Sequence, residues 1–568
     1  MMTAGLSCDP PSLTASIMMA INPKRMTAAH AMLSALARNG IDRVFLVPGE
    51  SYLGLLDALN DFPQIDVVTC RHEAGAGFMA CADGRLTRRP GVFMVSRGPG
   101  ATNGSIAVHT AQQDAIPLIL IIGQVPKKDL RRQAFQEIDY QKMFGSIAKW
   151  VAEATEPEQL AELAFKALRV ATSGTPGPVV LVVPEDIQQQ DVLPPQWIVQ
   201  PMAATTASPD AVRQVASLLE KAQRPLIVAG GAFDVPQGRE TLLALAQSWH
   251  VPIALSFRRH DLFPNSNPLY AGDLGLANPA PQMELFHSSD LILALGTRFG
   301  DITSQGYTFP QLPRPAQTFV HCYPDPAIVG QHFAADVGLI CDPVTFARDL
   351  TAPQAANAPA SRREWAARVR ARYEEIVAWP APRSGEPVDF TDVVRALAPR
   401  LARDSILCLD AGTFAAPVYR HIEFEYPQRL MAPLAGAMGY GAPAAIACAL
   451  REPSRKVICM VGDGGFMMTG NEMIAAVASK LPILFVLSNN RSYGSIRAHQ
   501  DRDYPGRHIG TDLFNPDFLR IAQAFGMQAE RVTHAREIDA ALDRGLAATA
   551  PYFIEVLTCL SAVPPRGD

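Results

Sequence analysis

Short, uninterrupted runs of Val, Ile and Leu recur along the chain, each spaced from the next by a helix-length segment and often closed by glycine. Val44-Phe-Leu-Val47, Val92–Val95, Leu118–Ile122 and Val179–Val183 form a first set. Leu226–Ala229 and Leu291–Ala294 form a second, and Ile406–Leu409, Lys456–Val461 and Ile483–Ser488 a third. Strands apolar on both faces belong in a sheet covered on both sides, which means parallel strands with crossover helices. At roughly 150 residues per domain, a chain of 568 residues suggests three or four units. The fold class expected is therefore α/β, with three doubly wound parallel-sheet domains. The expected boundaries are an extension over 1–26, a first domain over 27–190 and a Pro-bearing linker over 191–209. A central domain over 210–350 follows, then a linker with a charged helix over 351–388 and a last domain over 389–568.

Composition removes several classes of function. Lys+Arg number 50 against 55 Asp+Glu, a net charge of −5, so the basic footprint of a nucleic-acid binder is missing. No apolar run approaches the roughly 18 residues of a membrane-spanning helix. The nine cysteines are scattered and no Cys-x-x-Cys pair occurs, which argues against a zinc site or disulfide framework and for a cytoplasmic location.

The sharpest local signal is Gly462-Asp463-Gly464-Gly465, closing one strand, with Asn489-Asn490 closing another. Alone, each is an ordinary turn sequence. At two adjacent strand ends they bring Asp463 and Asn490 to one crevice, where glycines let a diphosphate approach the backbone. Mg²⁺ takes six oxygens and commonly shares them with phosphate and water. Asp463, Asn490 and a main-chain carbonyl near Ser492 could supply three. A second motif, Arg71-His72-Glu73-Ala-Gly-Ala, follows the strand Val67–Thr69 and opens a small-residue helix. Burial at that helix start would raise the Glu73 pKa; the plain alternative is a helix N-terminal Glu favoured by the dipole.

With these motifs the sequence resembles the thiamine-diphosphate-dependent enzymes, in particular the acetolactate synthase (acetohydroxyacid synthase) group, from Thr27 to about Leu560. Further carriers are Val47-Pro-Gly49, Gly98-Pro-Gly-Ala-Thr-Asn103, Gly123-Gln-Val-Pro126, Ala134-Phe-Gln-Glu137, Gly177-Pro-Val and Gly436-Ala-Met-Gly-Tyr-Gly. The resemblance implies thiamine diphosphate and Mg²⁺ as cofactors. It implies Glu73 as the carboxylic acid that shifts the cofactor's aminopyrimidine to the tautomer able to take up its own carbon-bound proton. It places Pro48, Gly49, Thr102 and Asn103 around one end of the cofactor. Around the other it places Gly412, Thr413, Phe414, Gly436, Asp463, Gly464, Gly465, Asn490, Ser492, Tyr493, Gly494, Ser495 and Ile496, with Met438 propping the rings. It further implies a pyrimidine-binding first domain, a diphosphate-binding last domain, and a homodimer or homotetramer with sites across the dimer interface.

Departures from the synthase pattern bear on substrate. Glu50 stands where synthases have Gly, and Gln136 completes the candidate catalytic set Glu73, Glu50, Gln136. Arg97 replaces Ser or Thr; it either holds a substrate carboxylate bidentately or pairs with Glu50. His499 stands in place of an acceptor-selecting Trp, so Arg97, Gln136 and His499 are the candidate substrate contacts. Ile496 replaces the acid by which pyruvate decarboxylases release aldehyde, which favours transfer of the acyl group to a second carbonyl compound. Gly412-Thr-Phe replaces the Gly-Gln-His of the synthases. The synthases' structural FAD is left open: Gly296-Thr-Arg298 retains part of its motif, whereas Gly300, Ile302 and Tyr323 do not. The reading is a 2-keto acid decarboxylating carboligase. Its alternatives are a decarboxylase or C–C lyase, and a catalytically silent cofactor-binding protein.

Overall fold

In the computed structural model, residues 25–196, 203–276, 278–351, 358–383 and 387–560 are described. The expected extension up to residue 24, including Cys8, lies outside them, as do parts of both linkers. Three six-stranded sheets, parallel throughout, carry the three domains. The first contains β1 (Arg43–Leu46), β2 (Asp66–Thr69), β3 (Gly91–Val95), β4 (Leu118–Gln124), β5 (Trp150–Glu153) and β6 (Pro178–Pro184), in the order β2-β1-β3-β4-β6-β5. The central sheet contains β7 (Pro225–Ala229), β8 (Ile253–Ser256), β9 (Tyr270–Leu274), β10 (Leu291–Leu295), β11 (Thr318–Cys322) and β12 (Val337–Leu339). Its order is β9-β8-β7-β10-β11-β12. The last contains β13 (Ile406–Leu409), β14 (Arg429–Met431), β15 (Val457–Gly462), β16 (Ile483–Asn489), β17 (Gln528–Val532) and β18 (Tyr552–Leu557), in the order β14-β13-β15-β16-β18-β17.

The apolar runs lie at the centre of each sheet, buried on both faces, as in β4, β6 and β16. Strand order reverses between β1 and β3, between β7 and β10, and between β13 and β15. In open α/β sheets the ligand crevice lies outside the carboxyl ends of the strands at such reversals. Three crevices therefore exist, and the side chains at their edges decide their use.

Two boundaries differ from the sequence reading. The first domain closes with a two-residue antiparallel pair, Met26–Thr27 against Asp191–Val192. The charged helix in the second linker, Ala360–Val377, is part of the central domain. Its Trp365 is 2% exposed and donates to Pro225 O at 2.8 Å, and Ala366 and Tyr373 enter the central core. Most of its charges line the outer face and masked an inward stripe, although Arg362 is buried and donates to the carbonyls of Leu219, Ala222 and Trp249.

Helices α1 (Glu73–Thr87) and α2 (Pro99–Asp114) cover the first sheet, and α3 (Gly441–Arg451) covers the last. One continuous apolar core runs through both domains, because α1 packs on α3 within the chain. Phe78 meets Tyr440 edge-on at 5.6 Å, a geometry worth about 0.5–1.5 kcal/mol beyond area burial. The Asp114 carboxylate accepts from Leu434 N and Ala435 N, and Arg85 donates to Ala432 O. No helix among the described residues is long and apolar enough to cross a membrane.

Candidate active site

The first-domain crevice gathers the residues at the ends of β1, β2 and β3. Glu73 opens α1, directly after the β2 edge, with His72 as the helix cap: His72 Nδ1 accepts from Ala74 N at 3.1 Å. One Glu73 oxygen accepts from Asn103 Nδ2 at 2.9 Å, and the other faces Gly100. Glu73 is half-buried, so the desolvation expected for it is not supplied by its own chain. Thr102 turns its hydroxyl back onto Gly98 O, while Pro48 is exposed at the rim and Gly49 packs against Ser96. Gln136 lies against Gly98.

Arg97 is buried, and both of its terminal nitrogens are taken. One donates to Glu50 at 2.9 Å and the other to Glu185 at 2.8 Å. Of the two alternatives for Arg97, the chain shows the paired one, with Glu185 as a second partner that the sequence did not suggest. The three charged groups line a cavity of about 420 Å³ together with Leu53, Gly54 and Gln188. Two carboxylates against one guanidinium make this wall net anionic, a poor seat for a substrate carboxylate.

The last-domain crevice lies between β13 and β15. Asp463 opens the short helix α4 (Asp463–Thr469) directly after β15, and it is 2% exposed. Its carboxylate accepts from Asn515 Nδ2 at 2.7 Å and from Gly464 N at 2.9 Å. Burial pushes its pKa up, against the pull of Asn515 and the main-chain amides of Gly464, Arg491 and Ser492. Asn490 Oδ1 accepts from Ser492 N at 3.0 Å, folding this turn back toward Asp463. The Ser492 carbonyl accepts from Gly494 N at 2.8 Å, and a second lone pair remains. Tyr493 packs on Gly464, and Ser495 Oγ accepts from Thr413 N at 3.1 Å, joining the β13 and β16 turns. Gly465 lies over Asp410, and half-buried Met438 belongs to the loop that Asp410 holds. Gly436 has φ +66, and a Cβ there would meet nothing within 4 Å. That loop has room beside it.

The Phe414 ring packs on Phe390 at 5.8 Å on its core side and lies against Gly412 and Gly462 at the two crevice turns. Thr413 and the Gly412 backbone are the polar part of the turn. Ile496 and His499 share the outer face of α5 (Gly494–Asp503), both exposed. Their spacing of three residues puts them side by side, but no hydrogen bond joins them or Asp463 to the Glu73 group among the described residues.

Several polar residues at these crevices carried no sequence signal. Asp410 ends β13 and accepts from Ala411 N, Gly439 N and Gly441 N, holding the 436–441 loop; burial drives its pKa up to about 6. Asn515 and Glu472 likewise meet partners far away in the chain.

A metal fits the last crevice only as a hard cation. No cluster of three or more His, Cys, Asp or Glu side chains suited to a metal occurs among the described residues. The donors present are one carboxylate, amide oxygens and main-chain carbonyls, which suits Mg²⁺ sharing its shell with a diphosphate.

The central crevice has been filled instead. A Cβ on Gly230, after β7, would lie 2.6 Å from Gly296 O, after β10, so the two loops abut. Asp234 accepts from Arg239 at 2.6 Å and from Arg429 at 2.8 Å, with Arg259 at 3.6 Å and Arg85 at 3.8 Å. Arg298 donates to the main-chain carbonyls of Gln112 and Gln113. Tyr323 is buried. Asp234 and the arginines around it are paired within the chain, so this edge serves as a joint between the domains.

The model of the thiamine pyrophosphate enzyme N-terminal TPP binding domain matches residues 26–143. The central-domain model matches 212–350, and the C-terminal TPP binding domain model matches 410–556. The chain is 30% identical to the acetolactate synthase large subunit of Parasynechococcus marenigrum, over 96% of this chain and 90% of that protein. The chain belongs to the thiamine pyrophosphate enzyme family. Among other relatives, isozyme 2 of the acetolactate synthase large subunit from Escherichia coli is 30% identical, over 94% and 95% of the two chains. A putative thiamine pyrophosphate-containing protein, YdaP, of Bacillus subtilis is 29% identical over 94% and 91%. This thiamine pyrophosphate enzyme therefore carries both cofactor-binding domains, and the Glu73 and Asp463 groups lie within the two matched models.

Proposed function

We propose that this protein decarboxylates a 2-keto acid and transfers the acyl group to a second carbonyl compound, with thiamine diphosphate and Mg²⁺ as cofactors. The observation that carries the reading is the pair of crevices, one offering Glu73 with Asn103 and the other Asp463 with Asn490. When bound, thiamine diphosphate supplies the nucleophilic carbon and takes up the electrons released with CO₂. Asp463, Asn490 and the Ser492 carbonyl would hold Mg²⁺. Thr413, Tyr493, Gly494 and Ser495 shape the turn that would receive the diphosphate. Met438 would support the cofactor's rings. Glu73, kept in place by Asn103, would share a proton with the aminopyrimidine. Glu50, facing the cavity, exchanges a proton with the substrate oxygen, while Arg97 holds Glu50 rather than a substrate carboxylate. Gln136 and His499 border the acceptor side, where Ile496 contributes no acid.

The active unit in this reading is a homodimer, alone or within a tetramer. Glu472, just beyond α4, touches the residues before Glu73 in the same chain, whereas Asp463 is at the opposite end of that helix. Seven helical residues rise about 10 Å, so within one chain Glu73 adjoins the end remote from Asp463. Exposed Ile106, three residues past Asn103, and exposed Met467 and Met468 on α4 offer apolar surface for a second copy to cover. That copy would also supply the desolvation Glu73 lacks. The eight described cysteines carry free thiols, which supports a reducing, cytoplasmic setting.

The exposed Glu50 favours a second reading, in which it would supply the proton that makes aldehyde the product. Incubation with pyruvate and related keto acids, with and without aldehyde acceptors, separates the two. Hydroxyketone formed with CO₂ release that requires both thiamine diphosphate and Mg²⁺ supports the carboligase. Aldehyde as the sole product assigns the lyase, and CO₂ release independent of cofactor overturns both.

A further inference from the structure

We propose that Glu472 is a positioning residue for Glu73, holding the activating carboxylate in register through the peptide groups that precede it. Glu472 ends the 3₁₀ turn Gly470–Glu472 in the last domain and is fully buried. Its carboxylate accepts from Arg71 N at 2.9 and 3.2 Å and from His72 N at 2.9 Å, across some 400 residues of sequence. Those are the two amides immediately before Glu73. The preceding residue is also tied: Cys70 N donates to Leu46 O at 2.8 Å. The chain from β2 into α1 is thus fixed link by link.

A second observation comes from the opposite side. A Cβ on Gly75 would stand 2.5 Å from Glu472 Oε1 and 2.7 Å from its Cγ. The missing side chain at Gly75 is what admits the carboxylate to the start of α1. Glycine inside a helix costs about 0.5–1 kcal/mol relative to alanine, so this vacancy serves the contact and not helix stability.

Burying a carboxylate is unfavourable, and Glu472 shows it. Burial pushes its pKa up, the amides of Arg71 and His72 pull it down, and Glu73 adds to the rise. Arg71 is the cation that faces it and opposes the shift. Charge-assisted hydrogen bonds to a carboxylate are shorter and stronger than neutral ones. They offer a tight tether for a group whose hydrogen bond to a cofactor tolerates an error of only about 0.5 Å. Glu472 itself does not touch the reacting atoms. This proposal rests on the reading of Glu73 given above.

The test is proton–deuterium exchange at the reactive carbon of thiamine diphosphate, followed by NMR on the Mg²⁺-loaded enzyme at saturating cofactor. Glu472→Gln keeps the shape and weakens the tether. The expected result is exchange slowed tenfold or more, kcat lowered in proportion, and KM for the keto acid unchanged. Gly75→Ala disturbs the same contact while keeping the carboxylate, and it is expected to slow exchange as well. It decides alone if Glu472→Gln does not fold. Wild-type exchange rates in the folded variants, even with a lowered melting temperature, would leave Glu472 a purely structural residue and overturn the proposal. The Glu73→Gln control keeps the two ideas apart. Slow exchange in Glu73→Gln with normal exchange in Glu472→Gln rejects only the tether, whereas normal exchange in Glu73→Gln rejects the role of Glu73 itself.

Discussion

Asp234 and Asp463 both stand buried at the carboxyl edge of a parallel sheet, yet their surroundings push them in opposite directions. Burial raises the pKa of each. At Asp234, Arg429, Arg239, Arg85 and Arg259 outweigh burial and hold the carboxyl well below 3.8. At Asp463 only an amide and main-chain N–H groups oppose burial, and the pKa stays above 3.8. One crevice has been closed by the protein's own cations, drawn from all three domains. The other keeps a costly carboxylate that lacks a cation. Similar sheets thus yield a structural joint in one domain and, in the function proposed above, a cofactor site in another, and the difference lies in which arginines reach the edge. A buried ionisable group left short of counter-charge is a functional-site signal.

The largest effect should come from removing the unpaired member. Asp463→Ala is expected to abolish Mg²⁺-dependent retention of thiamine diphosphate, with activity falling by about a thousandfold or more, since the diphosphate loses its charge bridge. Titration calorimetry checks the first and CO₂ release the second. Without cofactor, the same variant should melt no lower than wild type. Cofactor with Mg²⁺ should raise the wild-type melting temperature through binding to the native state alone and leave the variant unmoved.

Asp234→Ala should behave in reverse. Removing one partner of a buried ion pair leaves uncompensated charge and costs about 3–5 kcal/mol. A clear drop in melting temperature is expected, with cofactor affinity retained at temperatures where the protein is folded. If Asp234→Ala lost cofactor binding selectively while keeping its melting temperature, the assignment of the central crevice as a joint would fail.

The smallest effect is the pH dependence that separates the two carboxylates. A depressed pKa contributes stability above the unfolded value, and that stability is lost as pH falls toward the folded pKa. For Asp234 the loss begins below about 3.8. A raised pKa acts the other way, so Asp463 and Asp410 cost stability as pH rises through and above 3.8, for Asp410 up to about 6. Thermal melts across this range should show Asp234→Ala with the weaker acid dependence. Asp463→Ala should lose less stability than wild type as pH rises above about 3.8. Parallel curves for wild type and both variants would contradict these environments.

Much of this was legible in the sequence wherever information is local. The runs in β4, β6, β13 and β16 announce buried strands, and Gly-Asp-Gly with Asn-Asn announces the last crevice. Strand β17, Gln528-Ala-Glu-Arg-Val532, does not: it is a partly exposed edge whose charges are consumed by distant partners, Glu530 by Arg544 and Arg531 by Glu555. The helix Ala360–Val377 hid its role because its inward residues, Trp365 and Tyr373, are thinly spread among arginines and glutamates. Asp410, Glu472 and Asn515 gave no signal, since what defines them is an amide or carboxylate 26 to 401 residues away. Arg97 was legible as a charge at a strand end, but its choice between substrate and partner depended on Glu185, 88 residues further on.

The central claim is that one site is built from Glu73 and Asp463, with the two supplied by different copies of the chain. Mixing Glu73→Gln and Asp463→Ala subunits under conditions of proven exchange tests it most directly. In a two-fold dimer, half the mixed molecules are hybrids with one intact site, so activity should return to about a quarter of wild type. Hybrid dimers that form but stay inactive would contradict the shared site and return both residues to a single chain.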